Sequence, residues 1–232
     1  MNTFHLNREM VRLVILQRIE LLSLFTKKIR KLFGRYIFGN IIAKYFFNSG
    51  EIGKKYFYIM EEEFNTIKDH VNFDNKKILA IGGGMGGFES FLNKKFNNNF
   101  YSFVEKNFIS KKVKYGWDNE NKEAYNNLDL LKIFLLNNEM KESQFEIFDY
   151  DKDNLPIKNF DLIISLFSLD YHYDFNIYIE YFKKVSTKET KIIFDTIRPD
   201  HYLKVFKNIK ILKNNENTIH KSKRIMCSEF IK

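Results

Sequence analysis

One cysteine, two prolines and one tryptophan stand in 232 residues, and each scarcity removes a class of answer. Cys227 alone makes neither an intramolecular disulfide nor a cysteine zinc site, so a reducing, cytoplasmic setting is expected. The five histidines (His5, His70, His172, His201, His220) include no pair at metal-ligand spacing, and no metal is expected. Long apolar runs are missing too. Arg12, Arg18 and Glu20 break the first apolar stretch. The second, "YIFGNIIAKYFF", offers about a dozen residues where a membrane span needs roughly 20. No small-residue cleavage site follows an apolar core, so no secretory leader is expected.

Acidic residues are scarce at the front of the chain. Residues 1–50 carry nine Lys or Arg against only Glu9 and Glu20, a net +7 of the chain's +9. Apolar residues at Val11, Val14, Ile15, Ile19, Leu22, Phe25, Ile29, Leu32 and Phe33 recur at three- and four-residue steps, which predicts one helical stripe. Gly34 and Gly39 mark its interruptions, and residues 51–71 predict a further helix. The expectation is a basic helical extension over residues 1–72, packed on the remainder, with its charged face in water or against an anionic membrane. Nucleic acid is an unlikely partner, because the positive charge lies mainly outside the following domain, residues 73–232.

From Lys76 onward short apolar runs alternate with helical patterns. Strands are predicted at 76–81, 100–105, 145–150, 160–167 and 190–197, with helices between them, and two closing strands at "NIKILK" and "SKRIMCSEF" stand close enough to pair antiparallel. The alternation implies a parallel sheet covered on both faces by helices. Ligands of such sheets bind at the carboxyl ends of the strands, where the strand order switches.

Five of the ten glycines fall within residues 82–87 of "KILAIGGGMGGFESF", directly after the first strand. Glycine accepts positive φ and lets backbone approach a ligand without Cβ contact, so this strand-to-helix turn is the expected binding loop. The spacing fits Gly-x-Gly-x-Gly (Gly82, Gly84, Gly86) and also Gly-x-Gly-x-x-Gly (Gly82, Gly84, Gly87). Glu105, at the end of the next strand, stands where a ribose hydroxyl pair needs an acceptor in either case. These features alone leave a dinucleotide and S-adenosylmethionine both open.

The order "ILAIGGGMGG", "FVEKN", "DKDNLPIKNFDLIISLFSL" resembles the class I S-adenosylmethionine-dependent methyltransferases over about residues 74–230. The resemblance implies a Rossmann-like, mostly parallel seven-stranded sheet with an antiparallel last strand, helices on both faces and S-adenosylmethionine as cofactor. It implies that Gly82, Gly83, Gly84 and Gly86 lie under the methionine part and that Glu105 takes the ribose hydroxyls. Asp151, beside Tyr150 and with Asp149 as a second choice, would reach the adenine. Ala80 departs from the pattern, since the family often has an acid there that helps hold the methionine end. The glycine run is also similar to the Gly-Gly-Gly-Asp-Gly-Gly signature of the aminopropyl-transferring spermidine synthases, with Met85 at the Asp position. A non-catalytic member of the fold and a nicotinamide-dependent oxidoreductase are the further alternatives.

The Asn/Asp-Pro-Pro-Tyr loop common to enzymes that methylate nitrogen is absent after the fourth strand, where "SLFSLDYHYDF" stands instead. Methyl transfer to a hydroxyl needs a positioned acceptor and a proton acceptor, which makes His172 and Asp170 the candidate catalytic groups. Tyr171 is a candidate substrate contact. Tyr115 and Trp117, with Tyr125, Asn121, Asn126 and Asn127, lie in an insertion of about twenty residues whose aromatic and amide side chains suit a sugar or small polar acceptor. The expected acceptor is a hydroxyl on a small molecule or glycan.

Overall fold

The computed structural model describes residues 2–110, 124–171, 173–215 and 221–231. Seven strands form one sheet: β1 (Lys77–Ile81), β2 (Phe100–Glu105), β3 (Phe145–Asp149), β4 (Phe160–Ser165), β5 (Ser186–Thr196), β6 (Phe206–Asn214) and β7 (Lys223–Phe230). Their order is β3-β2-β1-β4-β5-β7-β6. The first five strands are mutually parallel, while β7 is antiparallel to both β5 and β6. β1 feeds β2 on one side and neighbours β4 on the other, so the order switches at the carboxyl end of β1.

Ile78 to Ile81 are all buried, as a strand covered on both faces requires. Helices α6 (Gly87–Lys95), α7 (Leu128–Asn137) and α8 (Ile179–Val185) follow β1, β2 and β4 respectively. The two sheet faces carry separate apolar clusters. One gathers Phe91, Phe103 and Phe134, and the other gathers Phe175, Phe182, Phe194 and Tyr202.

The front of the chain has no core of its own. Helix α1 (Arg8–Gln17) buries Met10, Val11, Leu13, Val14, Ile15 and Leu16, and α5 (Ser49–Asn65) buries Tyr56, Phe57, Met60 and Phe64 in the same cluster as Ile78 and Phe103. Asn7 starts α1 by accepting from the Met10 amide at 2.9 Å.

The continuous stripe from Val11 to Phe33 divides. α1 ends at Gln17, Ile19–Leu21 form a single 3₁₀ turn, and Ser23 accepts from the Thr26 amide to start a second helix, α2 (Leu24–Phe33). Arg18 is held by Glu20 at 3.1 Å and lies 3.9 Å from Glu63 of α5, which pins the bend. The first half of the stripe is therefore buried, whereas α2 buries no residue at all. Beyond it lie α3 (Arg35–Ile37), a π-helical turn over Phe38–Ala43 and α4 (Lys44–Phe46), where the periodicity predicts one short helix. Among the described residues no helix is long and apolar enough to cross a membrane.

Candidate functional site

The glycine run turns tightly at the switch point. Gly82, Gly84 and Gly86 all have positive φ, between 63° and 68°. A Cβ at Gly82 would lie 2.0 Å from the Ser168 hydroxyl oxygen, so only glycine lets β1 run beside the loop after β4. At Gly86 the left-handed conformation starts α6, and a Cβ there would meet Leu135, Leu131 and Phe103 within 3.2 Å. Gly82, Gly83 and Gly84 line a pocket at this edge of the sheet, together with Glu105, Tyr150 and Ser168. Gly86 serves the turn and does not line the pocket.

Glu105 ends β2 and accepts the Gly84 amide at 2.6 Å, tying the glycine loop to the second strand. Burial raises its carboxyl to about 8, against the smaller opposing effects of the Gly84 amide and the Asn126 side chain. A second carboxyl, Glu89 in the first turn of α6, lies behind Gly83. Its two oxygens would be 3.3 and 3.4 Å from a Cβ built there. Glu89 is 2% exposed, one oxygen has no hydrogen-bond partner, and burial raises the group to about 7. It stands nine residues after Ala80, the β1 position that carries no acid.

The opposite wall comes from the front of the chain, which the glycine pattern does not reveal. Gln17, the last residue of α1, accepts the Met85 amide at 3.2 Å and donates to the Tyr125 carbonyl at 2.7 Å. Asn126 donates to the Gly84 carbonyl at 2.7 Å. Arg35 stacks on Tyr125 at 3.8 Å and donates to its hydroxyl at 3.0 Å and to the Leu16 carbonyl at 2.6 Å. Arg18, Arg35 and Tyr56 also line the pocket. The site thus sets Glu105, raised by burial, across a glycine loop from two guanidinium groups, with Glu89 behind Gly83. Such a set accepts a ligand bearing hydroxyl or ammonium donors at one end and an anionic group at the other.

Behind the pocket, Asp195 of β5 accepts the Phe167 amide at 3.0 Å. Asp195 is paired with Arg224 of β7 at 2.9 Å, and Arg224 reaches Glu63 and, at 2.8 Å, Thr66. Arg224 and Asp195 are fully buried, and both Arg18 and Arg224 lie within 5.3 Å of the Phe167 ring centre. Although burial alone would raise Glu63, Arg224 and Arg18 hold it below its ordinary value. This ionic chain fixes the post-β4 loop against β5, β7 and α5.

Several candidate residues take other places. Asp170 is fully buried and both its oxygens are occupied, one by Arg198 at 2.8 and 3.1 Å and the other by Thr196. These three hydrogen bonds make it an anchor of the loop. Asp151 does not line the pocket itself but pairs at 2.7 Å with Lys106, which does, and Lys106 lies 4.9 Å from the Tyr150 ring centre. Asp149 accepts the Asp151 amide and pairs with Lys152 at 3.2 Å. Tyr171 packs edge-on against Phe167, and the pocket is lined instead by Tyr173 and Tyr178. Met85 is fully buried, so its position in the run offers nothing to a ligand. Tyr115, Trp117 and His172 lie outside the described residues, although Tyr125 and Asn126, which end the inserted segment, reach the pocket. The segment leaves and returns at one point, marked by the Ser110 amide on the Ala124 carbonyl at 2.8 Å. Among the described residues no three metal-ligating side chains cluster.

No protein-family model matches the chain, and no curated protein matches it. A solved structure from Nostoc punctiforme PCC 73102, provisionally assigned as an O-methyltransferase, superposes with a TM-score of 0.50 at 12% identity, over 76% of this chain and 58% of that one. The fold is that of the class I methyltransferases. The inserted antiparallel β7 also separates it from the sheet of order 3-2-1-4-5-6 that binds dinucleotides. Coclaurine N-methyltransferase, bound to N-methylheliamine and S-adenosylhomocysteine, superposes with a TM-score of 0.44 at 11% identity, over 62% of this chain and 37% of its own. A ribosomal protein L11 methylase from Lactobacillus delbrueckii subsp. bulgaricus gives a TM-score of 0.47 at 10% identity, over 76% and 79%. The chain thus spans less than two thirds of the length of the first two of these proteins.

Proposed function

We propose that this chain is an S-adenosylmethionine-dependent methyltransferase acting on a hydroxyl of a small-molecule or glycan acceptor. The observation that carries the reading is the orphaned, buried Glu89 oxygen behind Gly83, on the same glycine loop whose Gly84 amide is tied to Glu105. An amino-acid nucleoside presents ribose hydroxyls, an ammonium and a carboxylate, which match Glu105, Glu89 and the Arg18 and Arg35 side in turn. Glu89 takes the part that Ala80 leaves open. Gly82, Gly83 and Gly84 give the backbone approach, and Tyr150 with Tyr178 supplies the aromatic wall on the Glu105 side. Asp151 acts indirectly, by holding Lys106 over Tyr150.

When bound, S-adenosylmethionine supplies a methyl group on an already activated sulfonium, so the protein's task is to place the acceptor and accept its proton. His172, which falls between Tyr171 and the pocket-lining Tyr173, is the base we assign. A hydroxyl acceptor agrees with the absence of the Asn/Asp-Pro-Pro-Tyr loop and with a pocket rimmed by Ser168 and tyrosines.

Calorimetric titration with S-adenosylmethionine, S-adenosylhomocysteine, decarboxylated S-adenosylmethionine and NADH tests the reading. Binding of the first two is expected, weakened by about 1–3 kcal/mol in Glu105→Ala. Binding of NADH alone would end it, and preference for the decarboxylated compound would move it to aminopropyl transfer.

A further inference from the structure

Residues 21–50 contain six basic residues and no acidic one. Within this stretch α2 carries Phe25, Ile29, Leu32 and Phe33 on one side, with Lys27, Lys28, Arg30 and Lys31 around the rest of the helix, as the 3.6-residue repeat places them. The apolar side is largely uncovered. Phe25 is 71% and Leu32 81% exposed, and Leu24, Ile37 and Phe46 extend the exposed apolar surface over α2 to α4. Single exposed apolar residues are ordinary on a protein surface, but a contiguous apolar set ringed by cations marks an interaction face.

The charge decides between occupants. A second copy of this face would set Lys27, Lys28 and Lys31 of α2 against the same three lysines, and α2 itself carries no acid to offset them. A phosphodiester backbone would answer the lysines and leave Phe25 and Leu32 in water. An anionic lipid surface answers both, with phosphates for the basic flanks and acyl boundary for the apolar side. We propose that α2 to α4 form an in-plane docking surface for an anionic bilayer. Arg35 of α3 lines the pocket, but the lysines and exposed apolar residues of this surface do not, and the proposal does not depend on the identity of the cofactor.

The test is co-sedimentation of the full chain with vesicles of phosphatidylcholine alone and of phosphatidylcholine mixed with phosphatidylglycerol. The chain pellets with the anionic vesicles, stays in solution with the neutral ones, and is released by raised salt. The double variant Lys27→Gln/Lys31→Gln lowers the partition coefficient about thirtyfold, taking ~1 kcal/mol for each base near the surface. The double variant Phe25→Ser/Leu32→Ser lowers it about tenfold or more, since the apolar area buried in the interface is lost. Phe25 and Leu32 are largely exposed and α2 buries no residue fully, so circular dichroism melting is unchanged in both variants. The proposal is overturned if the wild-type chain ignores anionic vesicles, or if both variants pellet like wild type. It is equally overturned if this face binds RNA in place of vesicles, or if light scattering shows a dimer that the Phe25→Ser/Leu32→Ser change dissolves.

Discussion

Burial raises the Glu105 carboxyl to about 8, so at pH 7 it is mostly protonated. A ribose that donates its hydroxyl hydrogens to this group favours the carboxylate and lowers its pKa in the complex. Ligand binding at pH 7 should therefore release most of one proton from Glu105. By linkage, the association constant should rise with pH, by up to about tenfold per unit, between the pKa of the complex and about 8, and level off above about 8. Adenosine is the cleanest probe, because it carries the ribose and has no group titrating between pH 6 and 8. Calorimetry in buffers of differing ionisation enthalpy reads the proton count directly from the slope of apparent enthalpy. Glu105→Gln, which keeps the shape and removes the proton, should flatten both the slope and the pH dependence. Wild-type binding with no proton release, or a pH dependence that survives in Glu105→Gln, would refute the reasoning.

Glu89→Gln removes a carboxyl that burial raises to about 7. A raised carboxyl costs stability as pH climbs from its unfolded value of about 4.5 through 7, so the variant should melt higher than wild type at pH 8 and alike at pH 4. It should also bind S-adenosylhomocysteine at least tenfold more weakly while leaving adenosine unaffected, by the loss of a charge-assisted hydrogen bond. Arg224→Met strands the buried Asp195 and Glu63 carboxylates and should cost about 3–5 kcal/mol in urea unfolding. The depressed Glu63 predicts a loss of stability as pH falls from about 4.5 through its lower folded value, and this acid sensitivity should be reduced in Glu63→Gln. His172→Ala should lower turnover about 10²-fold with the affinity for S-adenosylhomocysteine unchanged. Asp170→Asn should instead lower the urea midpoint and leave the pH profile of turnover in place, because its carboxylate serves Arg198 and Thr196.

Local physics was enough for the strands, the glycine turn and Glu105. Each depends on neighbours within a few residues: β1 is an apolar run, the loop needs positive φ, and Glu105 ends the next apolar run, so periodicity and glycine placement state them in the chain itself. The closing antiparallel pair was legible for the same reason. Asp170 is as available as His172 in the sequence, yet Arg198, 28 residues later, and Thr196 engage its two oxygens. Nothing local to "SLDYHYD" announces those partners. The break between α1 and α2 had a local trace in Ser23, but the continuous apolar stripe outweighed it until Glu63 drew Arg18 into the bend.

Sequence by itself determined the alternation of strands and helices, the place of the glycine loop and the basic character of the front helices, because these are properties of consecutive residues. Tertiary structure alone decided that Gln17, Arg18 and Arg35 close the pocket, that Glu89 stands behind Gly83, and that Asp195, Arg224 and Glu63 form one ionic chain. Those groups are brought together across separations of 29 to 161 residues in the ionic chain. Only the packed sheet sets such distances, and only burial in it raises the two carboxyls, Glu105 to about 8 and Glu89 to about 7.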